Sequence, residues 1–344
     1  MKVLITHELF PPECFRMGEK IAFLIADRLR KKGIGVKVVT TGNPKIKKYM
    51  ELETVRLNMH RYFMNLATPW IIPHAKDADI IQTNNYNACL SSFIAGRLLR
   101  KPVLCLVHGM YGKRWLKIRG PILGRLSMWV EKMQIDHRFD KIIFMSEFAR
   151  KQALKIGVPK RITEVIKPGI DFKKYKVRKK EPFVLFVGRL AKQKGLDYLI
   201  EAARELPDVK FIIAGEGKEG KRLKKKATAN VEFVGFVSGK KLIDLYSRAL
   251  IFCLPSISET FGFVQLEAMA SGCAIVSTIP LDYDGIIVKT ENSDQIKNAI
   301  RKLIDNPKVA IKMGEENRRI AKTYDWDNFI DNLIKLYENI LSSY

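Results

Sequence analysis

No apolar run in this 344-residue sequence reaches the roughly 18 residues that a bilayer-spanning helix needs, and the opening MKVLIT enters a strand pattern without a signal-peptide layout. The expectation is a soluble chain of the cytoplasm. Cysteine is sparse: Cys14, Cys89, Cys105, Cys253 and Cys273 are scattered, with no CxxC pair, and three lie inside strand-like apolar runs. That excludes a disulfide framework and points to reduced, buried thiols. The five histidines (His7, His60, His74, His108, His137) show no metal-ligand spacing, and the sequence has no G-x-S-x-G elbow, no Walker loop and no catalytic Cys-His signature. Carboxylates are also short, 36 against 61 lysines and arginines, for a net charge of +25.

The excess charge is uneven. Residues 1–175 hold 33 basic and 14 acidic side chains, a net of +19, while residues 176–344 hold 28 and 22, a net of +6. Such a field attracts polyanions, which leaves nucleic acid, an anionic membrane or a phosphorylated substrate open. Abundant lysine with abundant glutamate is also a hyperthermophile habit, so part of the excess has a stability reading with no ligand.

What the sequence does contain is a steady alternation of short apolar runs and amphipathic stretches. It begins with KVLIT at 2–6, a helix over about 16–32 and VKVVTT at 36–41. It continues with DIIQTN at 79–84, a helix near 88–100, PVLCLVH at 102–108, a long helical region near 119–136, KIIFMS at 141–146 and a helix to about 156. This is the βαβ rhythm of a doubly wound parallel sheet. The pattern lapses in the basic, aromatic-punctuated stretch Gly169–Glu181, then resumes with FVLFVG at 183–188, KFIIAG at 210–215, VEFVGFV at 231–237, IFCLPS at 251–256 and CAIVST at 273–278. The spacing therefore predicts two Rossmann-like domains: 1–170, joined by a C-terminal helix over about 325–344; a linker, 171–181; and 182–324. Open α/β sheets bind ligands at the carboxyl ends of their strands, which predicts a site at the domain boundary.

Several motifs bear on chemistry. Gly215-Glu-Gly-Lys-Glu-Gly220 matches G-x-G-x-x-G after a strand, with Glu232 at about the distance of a ribose contact. It follows the second strand of its domain, however, and opens a mostly charged helix, so a tight glycine turn is the alternative to dinucleotide binding. In FVGRLAKQKG, Arg189 and Lys194 sit in a loop after a strand with Gly188 and Gly195 beside them, an arrangement suited either to a diphosphate or to a solvated turn. In SETFGFVQLEAMASG, Glu259 lies in a loop and Glu267 about one and a half turns into the next helix among Leu266, Ala268 and Met269. A carboxylate in such company needs a partner, either a ribose diol or a buried cation. Asp77-Ala-Asp79 is a D-x-D, but it precedes its strand and reads as a turn; Asp282 and Asp284 form a similar loop pair. The residues support no metal site.

GRLAKQKG, GEG, VEFVGFV and ETFGFVQLEAMASGCAIVS together resemble the retaining glycosyltransferases of family 4, which have the GT-B fold and use nucleotide-activated sugars. KVLITHELFPPE with Gly18, CLVHG with His108, FDKIIFMSEFAR and VIKPGIDFKKY are similar to further landmarks of that family. The resemblance implies that Arg189 and Lys194 bind the donor diphosphate and stabilise the leaving group without metal, helped by backbone N–H groups at Phe261, Gly262, Phe263 and Val264. It implies that Glu267 holds the ribose hydroxyls, Glu259 the transferred sugar, and Phe236 and Val237 the base, with Gly188 and Gly217 allowing close backbone approach. Gly18 would approach the diphosphate and His108 the sugar. No cofactor is implied beyond the nucleotide-sugar substrate. The chain departs from the family pattern at Pro168, at Met17 and in the short segment IPLDYD after Thr278.

Met110–Arg138 interleaves basic residues with tryptophan and aliphatic side chains, the composition of a segment lying on an anionic membrane, or of a core-packed helix with a solvated basic face. With the charge of residues 1–175, it predicts membrane contact through Lys113, Arg114, Trp115, Lys117 and Arg119, a lipid-linked glycan or glycolipid acceptor, and a peripheral position on the inner face of the cell membrane. The alternatives are a soluble transferase acting on a sugar phosphate or polysaccharide, and a non-catalytic nucleotide- or nucleic-acid-binding protein. No nucleic-acid-binding motif is present.

Overall fold

A computed structural model describes residues 1–14, 17–108, 110, 112–135, 139–259 and 261–344; of Arg114 and Lys117 it describes the backbone. Tyr111, His137, Arg138 and Thr260 lie outside the described residues. The chain divides into two units, Met1–Lys167 with Asp327–Tyr344, and Pro168–Trp326.

The first unit runs β1 (Lys2–Thr6), α1 (Met17–Lys31), β2 (Gly35–Thr41), β3 (Lys48–Tyr49), β4 (Leu52–Leu57), α2 (Thr68–Ala75), β5 (Ile80–Asn84), α3 (Cys89–Leu99), β6 (Val103–Val107), α4 (Arg114–Arg119), α5 (Pro121–Ile135), β7 (Lys141–Phe144), α6 (Glu147–Lys155) and β8 (Thr163–Val165). Its sheet has the order β3-β4-β2-β1-β5-β6-β7-β8 and is parallel apart from the antiparallel β3 edge. Strands β5 and β6 are buried at every position, as expected where helices cover both faces of a parallel sheet. Right-handed crossovers put α2, α3, α5 and α6 on one face of this sheet, because the strands they join step the opposite way from β1 to β2. One apolar cluster lies beneath that helical layer and includes Ile71, Ala95, Ile135 and Ala153.

The second unit runs β9 (Glu181–Val187), α7 (Leu196–Arg204), β10 (Lys210–Ala214), α8 (Gly220–Lys226), β11 (Val231–Gly235), α9 (Gly239–Arg248), β12 (Ala249–Leu254), α10 (Phe263–Ala270), β13 (Ala274–Ser277), β14 (Gly285–Ile287), α11 (Ser293–Asp305) and α12 (Pro307–Ala321). Its sheet is wholly parallel, in the order β11-β10-β9-β12-β13-β14. The order reverses between β9 and β12, so the loops after these two strands lead to helices on opposite faces and leave a crevice at their carboxyl ends.

The last helix, α13 (Trp326–Leu341), lies almost wholly in the first unit, where its buried face carries Phe329, Leu333 and Tyr337. The Tyr337 hydroxyl donates to Gln82 of β5, and Lys32 pairs with Asp331 at 2.8 Å.

The stretch expected as a linker, 171–181, is instead a packed strap of the second unit. Arg318 stacks on the Phe172 ring at 4.5 Å and donates to the Tyr175 carbonyl at 3.1 Å. Half-buried Lys180 donates to the Ser271 carbonyl at 2.7 Å. Phe172, Tyr175 and Lys180 thus pack against α10 and α12, while the lysines between them stay exposed.

Candidate active site

The crevice residues of the second unit come from glycine-controlled turns. Gly195 (φ +65°) and Gly262 (φ +75°) occupy the left-handed region immediately before α7 and α10, turning each strand exit sharply into a helix. A Cβ on Gly195 would lie 2.0 Å from the Pro255 carbonyl oxygen, so the loop after β9 rests directly on the loop after β12. The Ile257 and Ser258 amides both donate to the Gln193 carbonyl, at 2.9 and 3.2 Å. Two helix N-termini with their positive dipole ends thus open from two stitched loops.

Between these loops Lys194 and Glu259, 65 residues apart in sequence, form an ion pair with about four-fifths of each side chain buried. Arg189, in the same loop, is exposed. Gly188 and Gly217 serve loop packing: a Cβ on Gly217 would meet the Leu190 carbonyl at 2.2 Å, and one on Gly215 the Gly188 carbonyl at 1.9 Å. The G-x-G-x-x-G motif is thus a close turn between the loops after β10 and β9. Glu216 within it accepts from the Phe236 amide at 3.4 Å. The Phe236 ring is 73 % exposed beyond the edge strand β11, and Val237 is half-buried. The Phe261 ring is buried against Phe263 (4.8 Å) and Tyr324 (6.0 Å); Gly262 is buried, and Phe263 and Val264 are half-buried.

Two hydroxyl groups of the second unit meet Glu267. It accepts from the Tyr246 hydroxyl at 2.9 Å and from the hydroxyl of Tyr175. Burial, with the Glu267 carboxylate beside them, raises both tyrosines far above their ordinary range, so both remain donors. Neither tyrosine is marked as functional by sequence. Tyr246 follows the apolar stripe of α9, and Tyr175 sits in the stretch expected to be a linker.

In the first unit the carboxyl ends of β1, β5 and β6 gather His7, Asn84, Asn85 and His108. The His7 and His108 rings meet edge-on at 5.7 Å. Asn84 Nδ2 donates to the Thr6 carbonyl, which fixes its amide, so Asn84 Oδ1 accepts from His108 Nε2 at 3.0 Å and assigns the proton to that nitrogen. Burial, then the neighbouring His7, pushes His108 down to about 3. Burial also lowers His7, against the pull of Glu19 and Glu8. His108 is therefore a neutral imidazole at working pH. The Gly18 backbone, at the start of α1, lies near His7, whose Nε2 would be 3.9 Å from a Cβ there. His7, Asn84 and Asn85 carry no sequence motif; only their position at strand ends could have marked them. Asp79 accepts from the Lys2 amide at 2.7 Å at the opposite, amino edge of the sheet, away from these residues.

Of the residues expected at a membrane, Lys113 and Arg119 are exposed, while Trp115 is half-buried with the Arg119 guanidinium 4.9 Å over its ring. Only the backbones of Arg114 and Lys117 are described. The more exposed aromatic and aliphatic side chains lie one helix further on, in α5.

Comparison with known proteins places this architecture. Residues 169–320 match the family described as Glycosyl transferases group 1, and residues 18–174 match Glycosyltransferase Family 4. The chain belongs to this glycosyltransferase family and has its GT-B fold. A glycosyltransferase of Methanocaldococcus jannaschii is 29 % identical over 58 % of this chain and 60 % of its own length. The alpha-maltose-1-phosphate synthase of Mycolicibacterium smegmatis is 23 % identical over 99 % of this chain and 100 % of its own. The D-inositol 3-phosphate glycosyltransferase of Mycobacterium avium is 28 % identical over 62 % of this chain and 58 % of its own. The first and third of these matches thus span less than two thirds of the relative. Anabaena HepE in complex with UDP superimposes with a TM-score of 0.81 at 19 % identity, covering 98 % of this chain and 100 % of that one; the Thermosynechococcus elongatus sucrose-phosphate synthase gives 0.81 at 20 %, over the whole of both. At such identities the likeness is one of fold.

Proposed function

We propose that this chain transfers a sugar, with retention and without a metal ion, from a UDP- or GDP-sugar to a lipid-linked glycan or glycolipid at a membrane surface. One observation carries the reading: the Lys194–Glu259 pair sits at the switch point of the second sheet, between the glycine-opened N-termini of α7 and α10. That is a site for a diphosphate and a polyhydroxylated group side by side. Lys194 and Arg189 take the diphosphate, and Glu259 the hydroxyls of the transferred sugar. Glu267, aimed by Tyr246 and Tyr175, takes the ribose diol, and Phe236 stacks with the base. In the reaction the bond from the anomeric carbon to the donor phosphate oxygen breaks as the acceptor oxygen bonds to the same face of that carbon. The departing phosphate takes the acceptor's proton, while the loop cations and helix N-termini hold the charge it gains.

Nucleotide binding is the first test. In a thermal-shift series with UDP, GDP, ADP and their sugars, one base is expected to stabilise the protein, by about 2.7 kcal/mol at roughly a hundredfold excess over its dissociation constant. No shift with any of them would overturn the reading. A sugar- or polyol-phosphate acceptor is the second reading, favoured by the names of the maltose-1-phosphate and inositol-3-phosphate relatives. Turnover with such an acceptor in the absence of lipid would select it.

A further inference from the structure

Helix α5 is amphipathic in the wrong direction for a soluble surface. Its inward side carries Gly124, Glu131 and Gln134, and one buried aliphatic side chain, Ile135, at its C-terminal end. Gly124 lies against the α4 backbone, where a Cβ would come within 2.7 Å of Leu116 Cα. Buried Glu131 accepts from the Tyr86 hydroxyl at 2.9 Å and the Gly112 amide at 2.6 Å, and Gln134 is buried beside it. Its outward side carries Ile122 (81 % exposed), Leu123 (59 %), Leu126 (56 %), Trp129 (59 %), Val130 (39 %) and Met133 (46 %). Their spacing keeps them on one stripe of a 3.6-residue helix. The inner contacts fix the helix's rotation, since turning it would expose Glu131's partners and press Ile122 and Trp129 into α4. A water-facing stripe of this kind marks a surface that something else covers.

Charge selects the occupant. Between residues 80 and 135 there are nine lysines and arginines and one carboxylate, the buried Glu131. Arg125 and Lys132 are exposed on α5 itself, and Arg119 and Lys113 just before it. A second copy of the chain would set this basic surface against its own like and bring no carboxylate from this segment to pair with it. An anionic bilayer offers an apolar interior for the stripe, headgroup charge for its flanking cations and an interface suited to tryptophan.

We infer that α5 is a monotopic membrane anchor, lying in the plane of an anionic lipid surface with Trp129 and Leu126 in the acyl boundary and Arg125 and Lys132 at the headgroups. The sequence pointed to the whole segment Met110–Arg138 and named residues 113–119 within it; the exposed stripe narrows the contact to α5. It rests on the proposal of a membrane-held acceptor for its purpose, though lipid binding is measured without any reaction.

The test is flotation of the full chain with vesicles of phosphatidylcholine alone and of phosphatidylcholine with phosphatidylglycerol. The wild type is expected to float with the anionic vesicles only, and to be released by high salt. Leu126→Ser with Trp129→Ser should weaken partition by about tenfold or more, and Arg125→Glu with Lys132→Glu should abolish the anionic preference. Both variants should keep the wild-type melting profile and nucleotide-induced shift, which separates loss of the anchor from loss of the donor site. Equal flotation of the Leu126/Trp129 variant would overturn the proposal. So would a wild-type dimer that this variant converts to monomer while no vesicle binds.

Discussion

Two residues that sequence treats separately, Lys194 and Glu259, are one device in the structure. Each is largely buried, so removing Lys194 takes from the Glu259 carboxylate its paired cation in a site poor in water. Lys194→Ala should lower stability by about 2 kcal/mol, between the ~1 kcal/mol of an exposed pair and the ~3–5 kcal/mol of a buried one. The double variant with Glu259→Ala should recover part of that in thermal melts while remaining about a hundredfold or more slower in sugar transfer. A Lys194→Ala protein with wild-type melting would show that the pair does not form. His108 gives a pH dependence of definite sign. Its native proton affinity lies at about 3 and its ordinary one at 6.5, so the unfolded chain takes up a proton that the native chain refuses. Stability from this group is complete above about pH 6.5 and drains away as pH falls toward about 3. His108→Gln should flatten the acid limb of a melting-temperature profile; an unchanged limb would contradict the burial of this ring. At this scale the motif residues Arg189, Lys194, Glu259 and Glu267 were legible because each stands out by charge at a strand exit or among apolar neighbours. His7 and Asn84 were not, because their meeting depends on which strands become neighbours in the sheet, nor were Tyr175 and Tyr246, whose contacts depend on how the strap and α9 pack against α10.

Among the elements, the loops after β9 and β12 carry the site, and their glycines fix how closely they approach. Gly195→Ala would put a methyl group 2.0 Å from the Pro255 oxygen at a positive φ. The expected outcome is a loss of about 2 kcal/mol or more together with nucleotide binding, seen as a lowered melting midpoint without a ligand shift. A variant that melts and binds as wild type would mean that the two loops do not touch. The strands that proved easiest to read, such as β5, β6 and β12, are those buried on both faces, which appear as unbroken apolar runs. β4 escapes that pattern because it lies beside the sheet edge, with exposed Glu53 paired to Lys37 at 2.8 Å and a buried Arg56 donating to the Phe10 carbonyl. β8 and β14 are three residues each, too short to give a period. α5 was legible as a helix but not in its orientation: a list of basic and apolar positions is the same whichever side faces inward, and only Gly124 and Glu131 decide it.

For the whole molecule, the charge of +25 resolves into parts with different work. Arg189 and Lys194 belong to the loop after β9, a group around α4 and α5 belongs to the surface, and many others are tied in ordinary surface pairs such as Arg301 with Asp208 and Lys297 with Glu205. Those pairs contribute little individually and need no ligand to explain them. The division into two sheet-bearing units was legible because a parallel sheet repeats its period. The strap was not, because a polar segment gives no sign of what it will pack against. The most direct measurement of the central claim is release of nucleoside diphosphate from a series of UDP- and GDP-sugars by the wild type and by Arg189→Ala and Glu267→Ala proteins that melt normally. The account predicts turnover of at least one donor by the wild type, lowered by about a hundredfold in each variant. Full turnover by folded Arg189→Ala and Glu267→Ala proteins would contradict it.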